Sequence, residues 1–352
     1  MKKNIIKLIS FIIIFSFLLL QCQNVLHYRW SGDEALYTKN IDYANQPKDS
    51  IDVVCFGTSE IYAAYDPIIT FYEEGITGYN FAISYRSAVT VYYQLLYALK
   101  YQKPRLVICD FASMYDDQLP GDAEALYRKV VDCMPDKSIK NQMIRTICKL
   151  DPQQSYLSWK FPVFRYHSMW SELDELNFTK DYVYDESYPL YMKGALLHDD
   201  SFSGDMYDIV PELWSYTDTE TQFSDVSIKY YDMIIEECQS RGIEVAAVIP
   251  PKINAASKYA ARWDAMREYF DSRGVHYLNY NTYDQVKRLG VTFDEDYYDA
   301  GHLNVHGSIK FSKILANDLK KEFQFADHRG DNYYREMWEI PLSLFQESYA
   351  LE

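Results

Sequence analysis

Apolar residues occur along residues 51–111 in three short runs, "IDVVCFG", "YNFAIS" and "RLVICDF". Between the second and third lies "SAVTVYYQLLYALKYQ", with its apolar positions at helical spacing. The runs are rich in β-branched and aromatic residues and do not alternate with polar ones. They predict strands at 51–57, 79–84 and 105–111, buried on both faces in a parallel sheet covered by helices. Residues 112–223 break the pattern: this stretch holds Trp159, Trp170 and Trp214 and helical pieces such as "AEALYRKVVDCM". It reads as a largely helical insertion whose tryptophans either pack internally or line a glycan groove. The alternation resumes with a helix "SDVSIKYYDMIIEECQSRG", a strand "IEVAAVIPP", a helix "AARWDAMREYFDSRG" and a strand "VHYLNYN". Gly242 and Gly274 close the two helices, and a last helix, "VHGSIKFSKILANDLKKEF", carries basic residues toward its C-terminal end.

Five strands with their helices predict an α/β fold of three layers, α/β/α, around a central parallel sheet of about five strands. The expected organisation is an anchor at 1–26 and a stalk or covering segment at 27–50. The α/β domain follows at 51–323, with the insertion at about 112–223, and then a tail at 324–352 without evident role.

The N-terminus changes the picture most. "MKKNIIKLISFIIIFSFLLLQCQNVL" places Lys2, Lys3 and Lys7 before an unbroken apolar run from Leu8 to Leu20. With Ile5 and Ile6 the run approaches the length of a bilayer span, and the basic residues predict a cytoplasmic N-terminus with the body outside. An uncleaved signal anchor is the first reading. A cleaved secretory signal, or a lipid on Cys22, is the alternative, although Gln21 stands where a lipoprotein box has a small residue.

Composition narrows the partners. The 352 residues include 51 acidic and 35 basic side chains, a formal charge of −16, which argues against nucleic acid. The 34 tyrosines suit either the rim of a core or stacking on sugar rings. The six cysteines form no metal-binding spacing. Cys55 and Cys109 read as small buried hydrophobes, and Cys133 and Cys148 as a pair that an oxidising compartment would allow to join.

Candidate chemistry begins at "DVVCFGTSE", where a strand runs into a small polar turn bearing Ser59. A serine hydroxyl needs a base, and the base an orienting carboxylate. "DAGHLNVHG" supplies Asp299 and His302 three residues apart, a spacing at which the carboxylate reaches imidazole Nδ1 and leaves Nε2 for a serine. In open α/β sheets such chemistry gathers beyond the C-terminal ends of the strands. His306 with Asp296 and Asp299 is too weak a pattern to assign a metal, and no cofactor is called for.

"FGTSE" and "DAGHLNVHG" resemble the first and last blocks of the SGNH/GDSL hydrolase superfamily. The likeness is nearest to its membrane-anchored extracytoplasmic branch, which includes the D-alanyl transfer protein of teichoic acid modification and polysaccharide O-acetylation proteins. It covers roughly 51–111 and 223–323. The resemblance implies an SGNH-hydrolase-like, flavodoxin-like fold with Ser59 as nucleophile, His302 as general base and Asp299 as orienting carboxylate. Its oxyanion donors are implied at the backbone of Ser59 and of Tyr85, which stands where the family has a glycine. The third donor is expected near Ser113 or Asp110, since "CDFASMYDD" lacks the family's Asn. Losing one such donor costs ~10²–10³ in rate. Asn80 and Arg86 are candidate substrate-binding residues beside this site, with a backbone fastener and an exposed loop arginine as their plainer readings.

Two functions follow as expectations. One is a serine esterase or O-acyltransferase working through an acyl-serine on a cell-envelope glycan or acylated carbohydrate, beside a membrane-bound O-acyltransferase. The other is a catalytically weak accessory that binds glycan or such an acyltransferase.

Overall fold

The computed structural model describes residues 2–28, 30, 36–115, 119–178, 192–202, 222–252, 260–349 and 351. Trp214 lies outside them. The chain divides into two compact units, 1–38 with 119–186, and 39–118 with 187–352.

The second unit is built on a five-stranded parallel sheet of β1 (Val53–Phe56), β2 (Gly78–Asn80), β3 (Leu106–Cys109), β4 (Glu244–Ile249) and β5 (His276–Asn279). The order is β2-β1-β3-β4-β5, and Val54 lies opposite Tyr79 on one side and Val107 on the other. Val53, Val54, Cys55 and Phe56 are fully enclosed, which accounts for a run without polar alternation. Helices Pro67–Glu74 and Val305–Phe323 pack on each other, as do Ala88–Tyr101 and Asp225–Ser240. Right-handed crossovers put these two pairs on opposite faces of the sheet. The order reverses direction between β1 and β3, so the crevice at that switch point lies beyond Phe56 and Cys109.

Local chemistry sets the helix ends. Ser87, Ser224 and Asn304 each cap a helix by accepting from backbone N–H groups in its first turn. Gly242 and Gly274 take positive φ, 70° and 64°, just past their helices.

Several expectations change. The second strand is regular only over Gly78–Asn80, although Phe81 N–H still donates to Cys55 O and Ile83 N–H to Gly57 O, so residues 81–83 continue alongside the end of β1 in the same parallel register. The covering segment contains a helix, Leu36–Asn45, whose Lys39, Asn40 and Tyr43 are buried; Lys39 Nζ donates to Ala82 O at 2.7 Å. Part of the insertion serves the sheet edge: Asn80 N–H donates to Lys193 O, and Gly194 lies so close to Asn80 that a Cβ there would sit 2.0 Å from its carbonyl oxygen. The tail forms the helix Asn332–Ser348, whose Trp338 is buried and stacks on Phe71 at 4.9 Å.

Asp66 caps the Pro67–Glu74 helix, accepting from Ile68 N–H at 2.8 Å, yet its second oxygen is buried without a partner. Burial pushes its pKa up to about 7, against the lowering effect of the backbone hydrogen bonds. Between about 4 and 7 the folded protein therefore holds a proton that the unfolded chain has lost, and this group's contribution makes stability fall as pH rises through that window. Asp66→Asn keeps an acceptor for Ile68 and removes the titration. Relative to wild type it is expected to gain stability between pH 5 and pH 8, by up to about 2.5 kcal/mol. Urea unfolding of both proteins at the two pH values measures this, and parallel behaviour would refute the assignment.

The first unit holds the apolar helix Lys2–Val25 and the helices Glu124–Asp132 and Lys137–Leu150. Trp159 is buried here with the Arg128 guanidinium 4.0 Å above its ring, whereas Trp170 is exposed. Cys133 and Cys148 stand as free thiols, the first buried and the second half-buried, instead of the pair that an oxidising compartment would allow.

Candidate active site

Ser59 begins a one-turn helix, Ser59–Tyr62, directly after β1 and the two-residue turn Gly57-Thr58. Asp299 and His302 come from a short antiparallel hairpin of β6 (Tyr297–Asp299) and β7 (His302–Leu303), with the two residues paired in register. The three-residue spacing is thus that of a hairpin, whose cross-strand pairing sets carboxylate and imidazole side by side. His302 Nδ1 lies 2.8 Å and 2.9 Å from the two oxygens of Asp299, and its Nε2 lies 2.8 Å from Ser59 Oγ. A carboxylate only accepts, so Nδ1 carries the ring proton and Nε2 is left to accept from the serine. Gly301 N–H also donates to Asp299, at 2.7 Å, and Tyr298 stacks on the imidazole with ring centres 5.2 Å apart. Both contacts hold the pair in its working orientation.

These residues open into a cavity of about 400 Å³, lined among others by Ser59, Tyr85, Arg86, Ser113 and His302. Of the oxyanion candidates, Ser59 and Tyr85 have backbone N–H groups without a partner among the described residues. Ser59 is the first residue of its helix, where such donors are left over. Tyr85 has φ of 42°, the left-handed conformation that a glycine would take without strain, and its side chain stands in solvent. Phe111, across the cavity, is also left-handed at 52°. Two strained non-glycine residues beside one cavity are the pattern of backbone held for function. Ser113 lines the cavity wall, but its hydroxyl shares a 2.6 Å hydrogen bond with Tyr231 OH. Two hydroxyls share one bond there, so one proton stays available.

The two substrate-binding candidates separate. Asn80 is fully buried: its Nδ2 donates to Tyr65 O and Ile61 O, and its Oδ1 accepts from Ala82 N–H. It fastens the segment after β2 to the segment after Ser59, and substrate does not reach it. Arg86 does line the cavity, though it is 1% exposed and not an exposed loop arginine. One Nη1–H goes to Phe81 O at 2.7 Å, while Nε and Nη2 have no partner among the described residues, and burial pulls its pKa down to about 10.

Three further residues complete the site, two of which, Glu60 and Lys252, sequence reasoning gave no role. Asp110, following β3, accepts from Thr58 N–H at 2.7 Å, from Thr58 Oγ1–H at 2.6 Å and from Ala112 N–H at 3.1 Å. It thereby ties the nucleophile turn to the neighbouring strand. Burial, with Glu60 adding to it, pushes its pKa up to about 6. Glu60, next to the serine, forms a 2.6 Å ion pair with Lys252 from the segment after β4. Only the polar residues directly after each strand hinted at these links, and pairing them requires the sheet order. Elsewhere, Asp296 is buried against Lys310 at 2.8 Å, and His306 is exposed on the first turn of the last helix. Among the described residues no cluster of His, Cys, Asp and Glu is arranged to hold a metal.

No family model matches the chain, and no curated protein matches it in sequence.

Proposed function

We propose that the protein is a serine esterase or O-acyltransferase that works through an acyl-Ser59 intermediate and is similar in plan to the SGNH/GDSL hydrolases. The observation that carries the reading is the unbroken hydrogen-bonded line from Asp299 through His302 to Ser59 Oγ. In the first half-reaction Ser59 Oγ attacks the acyl carbonyl while His302 Nε2 takes its proton. The N–H groups of Ser59 and Tyr85 are the donors for the oxyanion. His302 then hands the proton to the departing alcohol. In the second half-reaction it deprotonates the acceptor, water or a sugar hydroxyl, whose oxygen attacks the acyl-Ser59 carbonyl; the bond to Ser59 Oγ breaks and His302 returns the proton to Oγ.

The substrate class is a cell-envelope glycan or other acylated carbohydrate. Arg86, Arg262 and Lys252 line the cavity together with Glu60, the partner of Lys252, and Asp110, a mixed set of charged donors and acceptors that suits an oxygen-rich sugar. The 24-residue helix Lys2–Val25 is long and apolar enough to span a bilayer, and none of its residues is buried. With its lysines at the near end, it supports a single-pass protein whose catalytic unit faces outward, beside a membrane-bound acyl donor.

A fluorophosphonate applied to the full-length protein in detergent tests the reading. Wild type is expected to be labelled at Ser59, and Ser59→Ala to give no labelling above background. A folded wild type that stays unlabelled at high probe concentration would leave only the accessory reading, in which the same cavity binds glycan without turning it over.

A further inference from the structure

The far end of the apolar helix is fastened to the rest of its unit by side-chain and ring contacts. Gln23 Oε1 accepts from Val163 N–H at 2.8 Å, and Val25 O accepts from Asn177 Nδ2 at 3.2 Å. Just beyond the helix, Tyr28 stacks on Tyr166 with ring centres 5.8 Å apart. Residues 163–178 are thus held at the point where the chain leaves its span.

The residues next to these attachment points are large, apolar and exposed. Phe164 follows Val163 and is 56% exposed; Phe178 follows Asn177 and is 67% exposed. Trp170, between them, is 72% exposed, and Leu157 is 55% exposed. A soluble face does not ordinarily gather so many large apolar side chains in a short stretch. Phenylalanine, tryptophan and leucine beside a span are the residues of the bilayer interface.

Length points the same way. The uncharged apolar stretch from Ile5 to Leu20, apart from Lys7, rises only about 24 Å at 1.5 Å per residue, less than the roughly 30 Å of a hydrocarbon core. A short span draws its flanks toward the interface. Gln23 and Val25 then lie at head-group depth, and so do the groups bonded to them. Charge permits the approach: residues 119–178 hold eight basic and eight acidic side chains, while the whole chain carries −16. An anionic leaflet would repel a strongly acidic face, and this stretch is formally neutral.

We propose that Leu157, Phe164, Trp170 and Phe178 form a lipid-contacting face that seats this unit on the bilayer around the exit of the Lys2–Val25 helix. The anchor is then a span with an apolar footing rather than a single helix on which the chain swivels. The inference rests on the spanning reading of that helix and is independent of any catalytic activity.

The test reconstitutes the full-length protein in phosphatidylcholine nanodiscs doped with a diazirine-bearing phosphatidylcholine and maps the adducts after irradiation. Adducts are expected on the Lys2–Val25 helix and on Phe164, Trp170 and Phe178. A second measurement compares quenching by bromine-labelled phosphatidylcholine in wild type and Trp170→Phe, and the quenchable fluorescence is expected to fall in the variant. Adducts confined to the helix, with the same quenchable fluorescence in both proteins, overturn the proposal. Absence of adducts even on the helix, or their replacement by cross-links from this face to another protein, also overturns it. A fluorophosphonate result of either kind leaves this outcome untouched, so the two readings fail separately.

Discussion

His302→Ala is expected to slow acylation of Ser59 by on the order of 10⁴-fold or more while leaving the fold intact. The imidazole is the only base within hydrogen-bonding distance of Ser59 Oγ among the described contacts, at 2.8 Å. It projects from a two-stranded hairpin and is partly open to solvent, so truncation leaves no large buried void. Asp299→Asn is expected to cost less, on the order of 10²–10⁴. Its carboxylate is about half exposed, so water can replace part of its effect on the ring, while the Gly301 N–H still has an amide oxygen to bind. The rate of fluorophosphonate labelling, followed in time on wild type and both variants, orders the three. A His302→Ala protein that labels at the wild-type rate would break the triad reading even if Ser59 were the labelled residue.

Gly57→Ala is expected to abolish activity and to destabilise the catalytic unit by roughly 3 kcal/mol or more. Gly57 has φ of 144°, and a Cβ there would stand 2.6 Å from Asp110 Cγ and 2.7 Å from both of its oxygens. That carboxylate cannot step aside without surrendering its bonds from Thr58 and Ala112, the ones that hold the nucleophile turn. Gly242→Ala is the control, because Gly242 is also left-handed, at 70°, but has nothing within 4 Å of the added atom. It bears conformational strain alone, about 1 kcal/mol, and should keep its activity. Thermal melts of the two variants alongside labelling rates separate strain from collision. Equal losses in both would show that Asp110 does not clamp the turn.

These two sites mark how far the chain could be read without coordinates. The strand–helix alternation was legible because it is written in local periodicity: continuous apolar runs where both sheet faces are covered, and helical spacing where one face is. Asp299 and His302 were legible as a pair because three residues suffice to bring a carboxylate to an imidazole. The shortened β2 was not, since residues 81–83 favour extended structure and still bond to Cys55 and Gly57 in the parallel register after the regular strand has ended. Nor was the helix Asn332–Ser348, whose aromatic positions gain meaning only against Phe71.

For the candidate site, residue types and local spacing pointed to Ser59, His302 and Asp299 as the proposed triad, and the lysine-flanked apolar run was evident from composition alone. Tertiary structure decided the rest. It brought His302 to Ser59 across 243 positions, favoured the fastener among the two readings of Asn80, and enclosed Arg86 with two donors unbonded among the described residues. It also set Asp110 under Thr58 and Lys252 against Glu60. Each of these depends on which strands are neighbours in the sheet. That order is settled by burial and crossover geometry over the whole chain, and no short window of sequence contains it.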